Sequence, residues 1–259
     1  MRKIKVWIQF VVLYLKQFAV YRFDMLFRLF SMILMTGIMY VVLTLPYEHV
    51  DEIAGWKKNE AILILGFYYI SNGLAWVLYR TGISNLESKI NSGSLDEVLL
   101  RPVGSSFYVS YLEADVSRIS DVLVGVVFVG INIGGMNLTV GVLEVFGVVL
   151  SLVVGVSIVK CIFLMVNSLA FWTTETYLDH VASPLVVLTK YPVDLWGKSK
   201  EIFYWGIPMA FLSTVPAAIL VGKLEWWYGI VGIGLALMWN VFAETFWRFG
   251  LRFYSGASR

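Results

Sequence analysis

The chain has 259 residues, of which 59% are hydrophobic and 15% charged, and its mean hydropathy is +0.76. Soluble domains carry charge on about a quarter of their residues, so one water-soluble core cannot bury this apolar excess. The composition predicts a polytopic membrane protein. It excludes a disordered chain, and it excludes a disulfide scaffold because the single cysteine, Cys161, lies in an apolar run. The net charge of +2 gives no reason to expect a nucleic-acid partner.

The N-terminal segment, residues 1–26, is predicted to form a helix that lies at the membrane interface. Apolar and aromatic residues recur there at helical spacing, while Lys3, Lys5, Lys16 and Arg22 can reach lipid headgroups. No small-residue cleavage site follows, which argues against a signal peptide.

Charge-poor runs predict the membrane-spanning helices, since crossing about 30 Å of hydrocarbon takes roughly 20 helical residues. The fourth run exceeds one crossing, so it is either a long tilted helix or a helix followed by a turn. Lys160 in this run either marks such a turn or faces a translocation path, and a structural role is favoured. The runs are 29–45, 61–79, 119–133, 142–172, 202–222 and 228–246.

Lys and Arg residues mark the cytoplasmic side of a membrane protein. Here they collect before the first run, in the loop after the second run and in the C-terminal tail. Both termini are therefore predicted to be cytoplasmic, which requires an even number of crossings, and six fits. The expected location is the inner (plasma) membrane, with multiple passes. The residues are Arg2, Lys3, Lys5, Lys16, Arg22, Arg28, Arg80, Lys89, Arg101, Arg118, Arg248, Arg252 and Arg259.

Catalytic and metal-binding patterns are missing from the sequence. There are two histidines and no paired cysteines, so a metal site is not expected. Gly197-Lys198-Ser199 resembles the end of a phosphate-binding loop, but Pro192 stands where that motif needs a glycine. We therefore expect no catalytic centre and no cofactor in this chain. Glu175, Asp179 and His180 could share a cation-binding face, although a helix end facing headgroups is the favoured interpretation.

The segment 84–110 is the one long internal loop with organised content. Leu95, Leu99 and Leu100 alternate with charged residues, a turn precedes them, and Pro102 ends the short predicted helix. An amphipathic element of this kind is expected to lie on the membrane or to dock onto a partner.

The sequence resembles the permease subunits of type-2 ATP-binding-cassette exporters, in a bacterial branch with six predicted spans. The residues that carry the resemblance are 93–103 (Gly-Ser-Leu-Asp-Glu-Val-Leu-Leu-Arg-Pro-Val), 170–172 (Ala-Phe-Trp), Tyr191-Pro192, Ile207-Pro208 and Val215-Pro216-Ala217. The resemblance implies an all-α fold in one transmembrane permease domain, 1–259, with six transmembrane helices and an N-terminal interfacial helix.

The same resemblance implies a cytoplasmic coupling helix that docks into a separate cytosolic ATPase, which would bind the ATP and Mg. The apolar members would fill a groove of the ATPase and the charged members would fix the register. A second permease, either an identical copy or a paralogue, would complete the pathway. The implied coupling residues are Gly93, Leu95, Asp96, Glu97, Leu99, Leu100, Arg101 and Pro102.

Two topologies compete before the last span. The resemblance implies a fifth span at 174–190 followed by an outer re-entrant hairpin at 191–224, with Tyr191, Pro192, Pro208 and Pro216 at its bends. Hydropathy alone instead makes 202–222 the fifth crossing. The prolines favour the hairpin, and positive-inside counting favours the crossing.

The predicted function is a permease that exports its substrate using ATP hydrolysis on another chain. Two alternatives remain at this stage. One is a membrane-embedded scaffold without a pathway, and the other is an ion-coupled secondary transporter. The latter has less support, since no inverted repeat is evident.

Overall fold

A computed structural model describes residues 22–111, 113, 115–136, 138, 140–173 and 178–256. The described chain is almost entirely helical, with one two-stranded antiparallel ribbon. The elements are α1 (Arg22–Thr44), β1 (Glu52–Ile53), β2 (Trp56–Lys57), α2 (Lys58–Ala75), α3 (Thr81–Ser84), α4 (Leu86–Asn91), α5 (Leu95–Leu99), α6 (Ser105–Tyr111), α7 (Ile119–Gly135), α8 (Val142–Ser168), α9 (Leu178–Leu188), α10 (Thr214–Leu220) and α11 (Tyr228–Leu251).

Five helical stretches in the described part of the chain are long and apolar enough to cross a membrane. This confirms the predicted all-α polytopic class. The fifth crossing that the resemblance implies, 174–190, overlaps the shorter apolar helix α9, which contains Pro184. The five stretches are Leu29–Glu48, Lys58–Asn91, Val116–Gly135, Val142–Phe171 and Tyr228–Leu251.

The predicted interfacial helix falls mostly outside the described residues. Its last part, 22–26, begins α1, which continues without a break to Thr44. The structure therefore differs from the predicted boundary at 26. Charged residues are tolerated at the end of a spanning helix, where they lie at headgroup level, so a charge does not by itself separate two helices.

The long fourth run forms one unbroken helix, α8, followed by a 3-10 turn at Leu169–Phe171. Lys160 lies within this helix, so it does not mark a turn. Helix α8 is the centre of the bundle and packs against α2, α9, α10 and α11. It runs parallel to α11, and Gly147 and Gly229 let the two backbones approach closely.

The helix that begins at Lys58 changes its winding before it ends. Residues Trp76–Arg80 form a single π-helical turn between α2 and α3. Such turns insert one residue into an α-helix and occur often at functional sites. The turn lies just before the internal loop and places Arg80 in the interior, where it is almost fully buried.

The segment between α9 and α11 has a broken backbone. It consists of short helical pieces, Val193–Ser199, Ile202–Gly206, Met209–Leu212 and α10, with non-helical residues at Pro208 and Ser213. The alternative of one continuous helical crossing over 202–222 is therefore not what this chain forms. Proline removes a backbone donor and clashes with the preceding turn, which accounts for the interruption near Pro208.

Side chains from the bundle pair the polar backbone groups of this broken segment. Ser71 donates to the Leu212 carbonyl at 2.6 Å, and Ser213 donates to the Thr189 carbonyl at 2.5 Å. The Val193 amide donates to Thr214 Oγ1 at 3.2 Å. Residues 208–220 are buried, so these bonds satisfy groups that water cannot reach.

The β1–β2 ribbon closes the same end of the bundle. Trp56 Nε1 donates to Asp194 Oδ2 at 2.9 Å, and Lys223 lies over the Trp56 ring while bonding Glu60 and the Gly55 carbonyl. We call this the hairpin end, comprising residues 52–60 and 191–228. The opposite end, comprising residues 80–111 with the last turns of α8 and α11, is the loop end.

Candidate functional site

The loop end presents a short helix whose two sides have different surroundings. Leu95 and Val98, one turn apart on α5, are buried against the bundle. Leu99 and Leu100 point the other way and are 41% and 86% exposed. Glu97, Arg101 and Pro102 are exposed with them. We call the exposed residues 99–102 the loop tip.

Burial of Leu95 corrects one sequence-based expectation. Leu95 was expected to fill a partner's groove together with Leu99 and Leu100, but its side chain is fully buried in this chain's own core. A five-residue helix offers one inward face, and positions 95 and 98 occupy it. The apolar surface left for a partner is therefore Leu99 and Leu100.

The turn before α5 follows the sequence prediction. Gly93 has a φ of +73°, in the left-handed region that residues with a side chain rarely adopt. Asp96 and Glu97 lie in the first turn of α5, where negative charge is favoured by the helix dipole. Asp96 is only half-buried and lies beside Gly256 in the C-terminal segment.

The charged members of the loop do not share one environment. Glu97 and Arg101 line a shallow pocket of 120 Å³ together with Lys89 and Tyr108. Asp96, by contrast, lies close to Tyr254, and burial together with this carboxylate raises the pKa of Tyr254. Glu97 and Arg101 are thus the charges open to a partner, and Asp96 connects the loop to the C-terminal segment.

Hydrogen bonds attach the loop to the spanning helices. Ser106 donates to Glu244 Oε2 at 2.5 Å, and Trp247 Nε1 donates to Ser105 Oγ at 3.0 Å. Both bonds join α6 to the last turns of α11. Lys89 pairs with Glu113 at 2.8 Å and is mostly buried. The loop tip therefore projects from a base that is fixed on several helices.

A buried ionic cluster lies beside the loop, and sequence reasoning did not find it. Arg80 donates to Ser183 Oγ at 2.6 Å and pairs with Asp179 at 3.4 Å, while Ser84 donates to Asp179 Oδ1 at 2.8 Å. The Arg80 guanidinium also lies 4.3 Å and 4.0 Å from the centres of the Trp76 and Phe163 rings. The cluster joins the π-helical turn to α9.

This cluster corrects the interpretation of the 175–180 segment. Asp179 was expected to face headgroups or a cation, but it pairs with Arg80 because α9 packs against the bundle. His180 is exposed, and residue 175 lies outside the described residues. The only sequence signal was Arg80 at the end of a charge-free run, and its partner stands 99 residues away.

The predicted hairpin residues all lie at the hairpin end. Pro192, Pro208 and Pro216 are buried and Tyr191 is half-buried. A cavity of 400 Å³ opens beside them, lined by Trp56, Asp194, Lys200, Tyr204 and Lys223, among others. The re-entrant character of 191–224 stays a prediction, because no bilayer is part of the structure.

Nothing in the described residues groups three or more metal-ligating side chains of the His, Cys, Asp and Glu types. The fold and the loop together define a class: a polytopic α-helical membrane protein with a fixed loop whose tip is exposed. A family model described as ABC-2 family transporter protein matches residues 10–258. The chain belongs to this family, and it is a membrane permease component of an ATP-binding-cassette transporter. No curated protein and no solved structure matches the sequence.

Proposed function

We propose that this chain is the permease subunit of an exporter, coupled through its loop tip to a separate cytosolic ATPase that binds ATP and Mg. The observation that carries the proposal is the contrast within one short element. Leu100 is 86% exposed, while Leu95 five residues earlier is fully buried. The loop tip is an exposed apolar surface on a loop that several helices hold in place. Such a surface is suited to bind the ATPase and to transmit its movement to the spanning helices.

The helical stretch Lys58–Asn91 would transmit that movement across the protein. It runs from Glu60 at the hairpin end to the loop, and only the π-helical turn and a turn at Asn85 interrupt its α-helical geometry. Arg80 on this helix is tied to α9 through Asp179 and Ser183. Movement of the loop tip would therefore reach both the spanning helix and the segment that precedes the hairpin.

A second permease, either a copy of this chain or a paralogue, is part of the proposal. The described interior is filled by buried hydrophobic side chains of α2, α8 and α10. By contrast, α1 exposes most of its described apolar side chains and α7 exposes half of them. A pathway would form against another permease in the inner membrane, with both termini of this chain on the cytoplasmic side, as the Lys and Arg distribution favours.

The test is an assembled complex in proteoliposomes. We expect the double variant Leu100→Ala/Arg101→Ala to lose most of the stimulation of ATP hydrolysis that the permease gives to its ATPase, by about tenfold, since it removes apolar contact and a charge together. The matched control is Leu195→Ala/Lys198→Ala, which removes the same kinds of exposed residue at the hairpin end. It should leave the stimulation unchanged.

Insertion and thermal stability of both variants should equal those of the unaltered chain, because all four residues are exposed. Normal stimulation in the Leu100/Arg101 variant would overturn the coupling role of the loop tip. Separately, purification of the tagged chain from its native membrane should bring down an ATPase with a Gly-x-x-x-x-Gly-Lys-Ser/Thr loop. Its absence would favour the scaffold or ion-coupled alternatives.

A further inference from the structure

A cluster of polar side chains lies between two membrane-spanning helices. Lys160 on α8 donates to Asn240 Oδ1 on α11 at 3.3 Å. Asn240 Nδ2 donates in turn to Ser157 Oγ at 2.7 Å and to the Ala236 carbonyl at 2.8 Å. Ser157, Lys160 and Asn240 are all partly accessible, so the cluster is open on one side.

The hydrogen bonds within the cluster leave three side-chain donors unused among the described residues, and one lone pair each on Asn240 Oδ1 and Ser157 Oγ. Both N–H groups of Asn240 are engaged, and its oxygen accepts from Lys160. Lys160 has three N–H groups and uses one on Asn240, and the Ser157 hydroxyl accepts a bond while its own proton is unused within the described residues. The unused donors exceed the unused lone pairs, and two of them belong to an ammonium group, so the cluster is best suited to a group that accepts hydrogen bonds.

The charge of Lys160 is also not neutralised by a carboxylate of the described residues. The nearest acid along α11 is Glu244, one turn beyond Asn240. Its two oxygens accept from Ser106 at 2.5 Å and from Arg248 at 2.9 Å. The Lys160 ammonium has in addition only the Tyr111 ring, 5.9 Å away. The cluster thus holds a partly accessible positive charge with unused donors.

The position of the cluster matters for its role. Lys160 lies eight residues before the loop-end terminus of α8, about 12 Å along the helix axis. Val149 and Val153 precede it on the same stripe of α8 and are exposed. An ionisable side chain within a spanning helix is costly unless it faces water, protein or a ligand, and such residues often mark the path of a transported molecule.

We propose that Ser157, Lys160 and Asn240 bind an anionic oxygen group, a phosphate or a carboxylate, of the molecule that this permease transports. The proposal rests on the transport function proposed above and names its substrate class as anionic. Two lysine N–H groups and the serine hydroxyl would donate to the oxyanion. Bonds of this charge-assisted kind are about twice as strong as neutral ones.

The experiment measures ligand binding to the full chain in nanodiscs of neutral lipid, without the ATPase. The probes are dodecyl phosphate and inorganic phosphate, and dodecyl maltoside serves as the uncharged amphiphile. We expect Lys160→Gln to weaken dodecyl phosphate binding by about tenfold or more, and Lys160→Arg to retain it within about threefold. Lys198→Gln, which removes an exposed lysine elsewhere, should change nothing.

A second variant tests the site independently of any effect that the Lys160 substitution has on folding. Asn240→Asp keeps the size of the side chain but places a carboxylate on the Lys160 ammonium, so it should also weaken dodecyl phosphate binding. Binding of inorganic phosphate with the same dependence on Lys160 would identify a soluble anion as the ligand. Dependence seen for dodecyl phosphate alone would identify an anionic amphiphile.

Equal affinity of the unaltered chain and the Lys160→Gln variant for both phosphates would overturn the inference, and so would the absence of phosphate binding to the unaltered chain. Preferential binding of dodecyl maltoside would overturn it as well. Because no ATPase is present in this assay, failure to find a partner ATPase would count against the proposed function alone.

Discussion

The hairpin end and the loop end of this bundle differ in how far their interrupted backbone is buried. At the hairpin end the backbone is broken, and residues 208–220 are buried nevertheless, because side chains from neighbouring elements pair the interrupted backbone. At the loop end the chain is also divided into short helices joined by turns, yet there the end of α5 and the turn after it are exposed. Interrupted backbone is thus buried at the hairpin end and exposed at the loop tip.

This comparison teaches that exposure, rather than irregularity, distinguishes the surface offered to a partner. Loops usually run over a surface because buried backbone polar groups need partners. The hairpin end meets that need with Ser71, Ser213 and Thr214. The loop end uses its hydrogen bonds for a different purpose, which is to fix the base from which Leu99 and Leu100 project.

The largest effect is expected where the hairpin backbone meets α8. Gly155→Leu would place a Cβ 2.5 Å from the Phe211 carbonyl oxygen, and no rotamer change relieves a contact with backbone. We expect no monodisperse protein from this variant in size-exclusion chromatography. Gly234→Leu, on an open face of α11 with nothing within 4 Å, is the control and should purify normally. Normal behaviour of both would mean that the hairpin does not pack closely on α8.

The next effect concerns the ion pair at the loop end. Asp179→Leu removes the partner of Arg80, whose side chain is only 6% exposed, and an unpaired buried charge costs about 3–5 kcal/mol. We expect that loss in the free energy of unfolding by detergent titration. Arg248→Gln removes the charge that pairs with Glu244, and because the Arg248 side chain is 74% exposed, this variant should cost about 1 kcal/mol or less. Similar losses in the two variants would contradict the buried position of Arg80.

A smaller pair of effects separates the two sides of α5. Leu95→Ala should lower the free energy of unfolding by about 2–5 kcal/mol, since a buried leucine leaves a cavity. Leu100→Ala should change it by about 0.5 kcal/mol or less, since that side chain is mostly exposed. Thermal unfolding of the two variants side by side provides the measurement. If Leu100→Ala lowered the free energy of unfolding more than Leu95→Ala does, Leu100 and not Leu95 would be the residue packed in the core.

The smallest effect is expected from one hydrogen bond of the hairpin end. Ser71→Ala leaves the Leu212 carbonyl without its 2.6 Å donor, which should cost about 1–3 kcal/mol for a buried acceptor. Thr245→Ala removes an exposed hydroxyl that bonds within its own helix and serves as the control. A neutral Ser71→Ala would show that another group, such as water, replaces the hydroxyl.

Much of the fold could be predicted from the sequence because lipid imposes a simple rule. Charge-free runs of spanning length become helices, and α2, α7, α8 and α11 lie where those runs were identified. Hydropathy predicted one continuous helix at 202–222, but the backbone is interrupted there and residues 208–220 are buried within this chain. Composition alone cannot distinguish these two apolar surroundings.

The candidate site was only partly predictable, for a related reason. The turn at Gly93 and the end of the short helix before Pro102 follow from local backbone rules. Which leucines face outward depends on what covers the helix, and the covering elements are distant in sequence. The same limit hid the Arg80 cluster, because neither Arg80 nor Asp179 carries a local signal for its partner.

The π-helical turn at Trp76–Arg80 fixes the rotational phase between the spanning helix and the loop. Each residue of an α-helix turns the chain by about 100°, so removing one residue from this turn would rotate everything before it relative to everything after it. Arg80 would leave Asp179, or the loop tip would face another direction. The direction in which the loop tip points is thus set by the length of this stretch as well as by its composition.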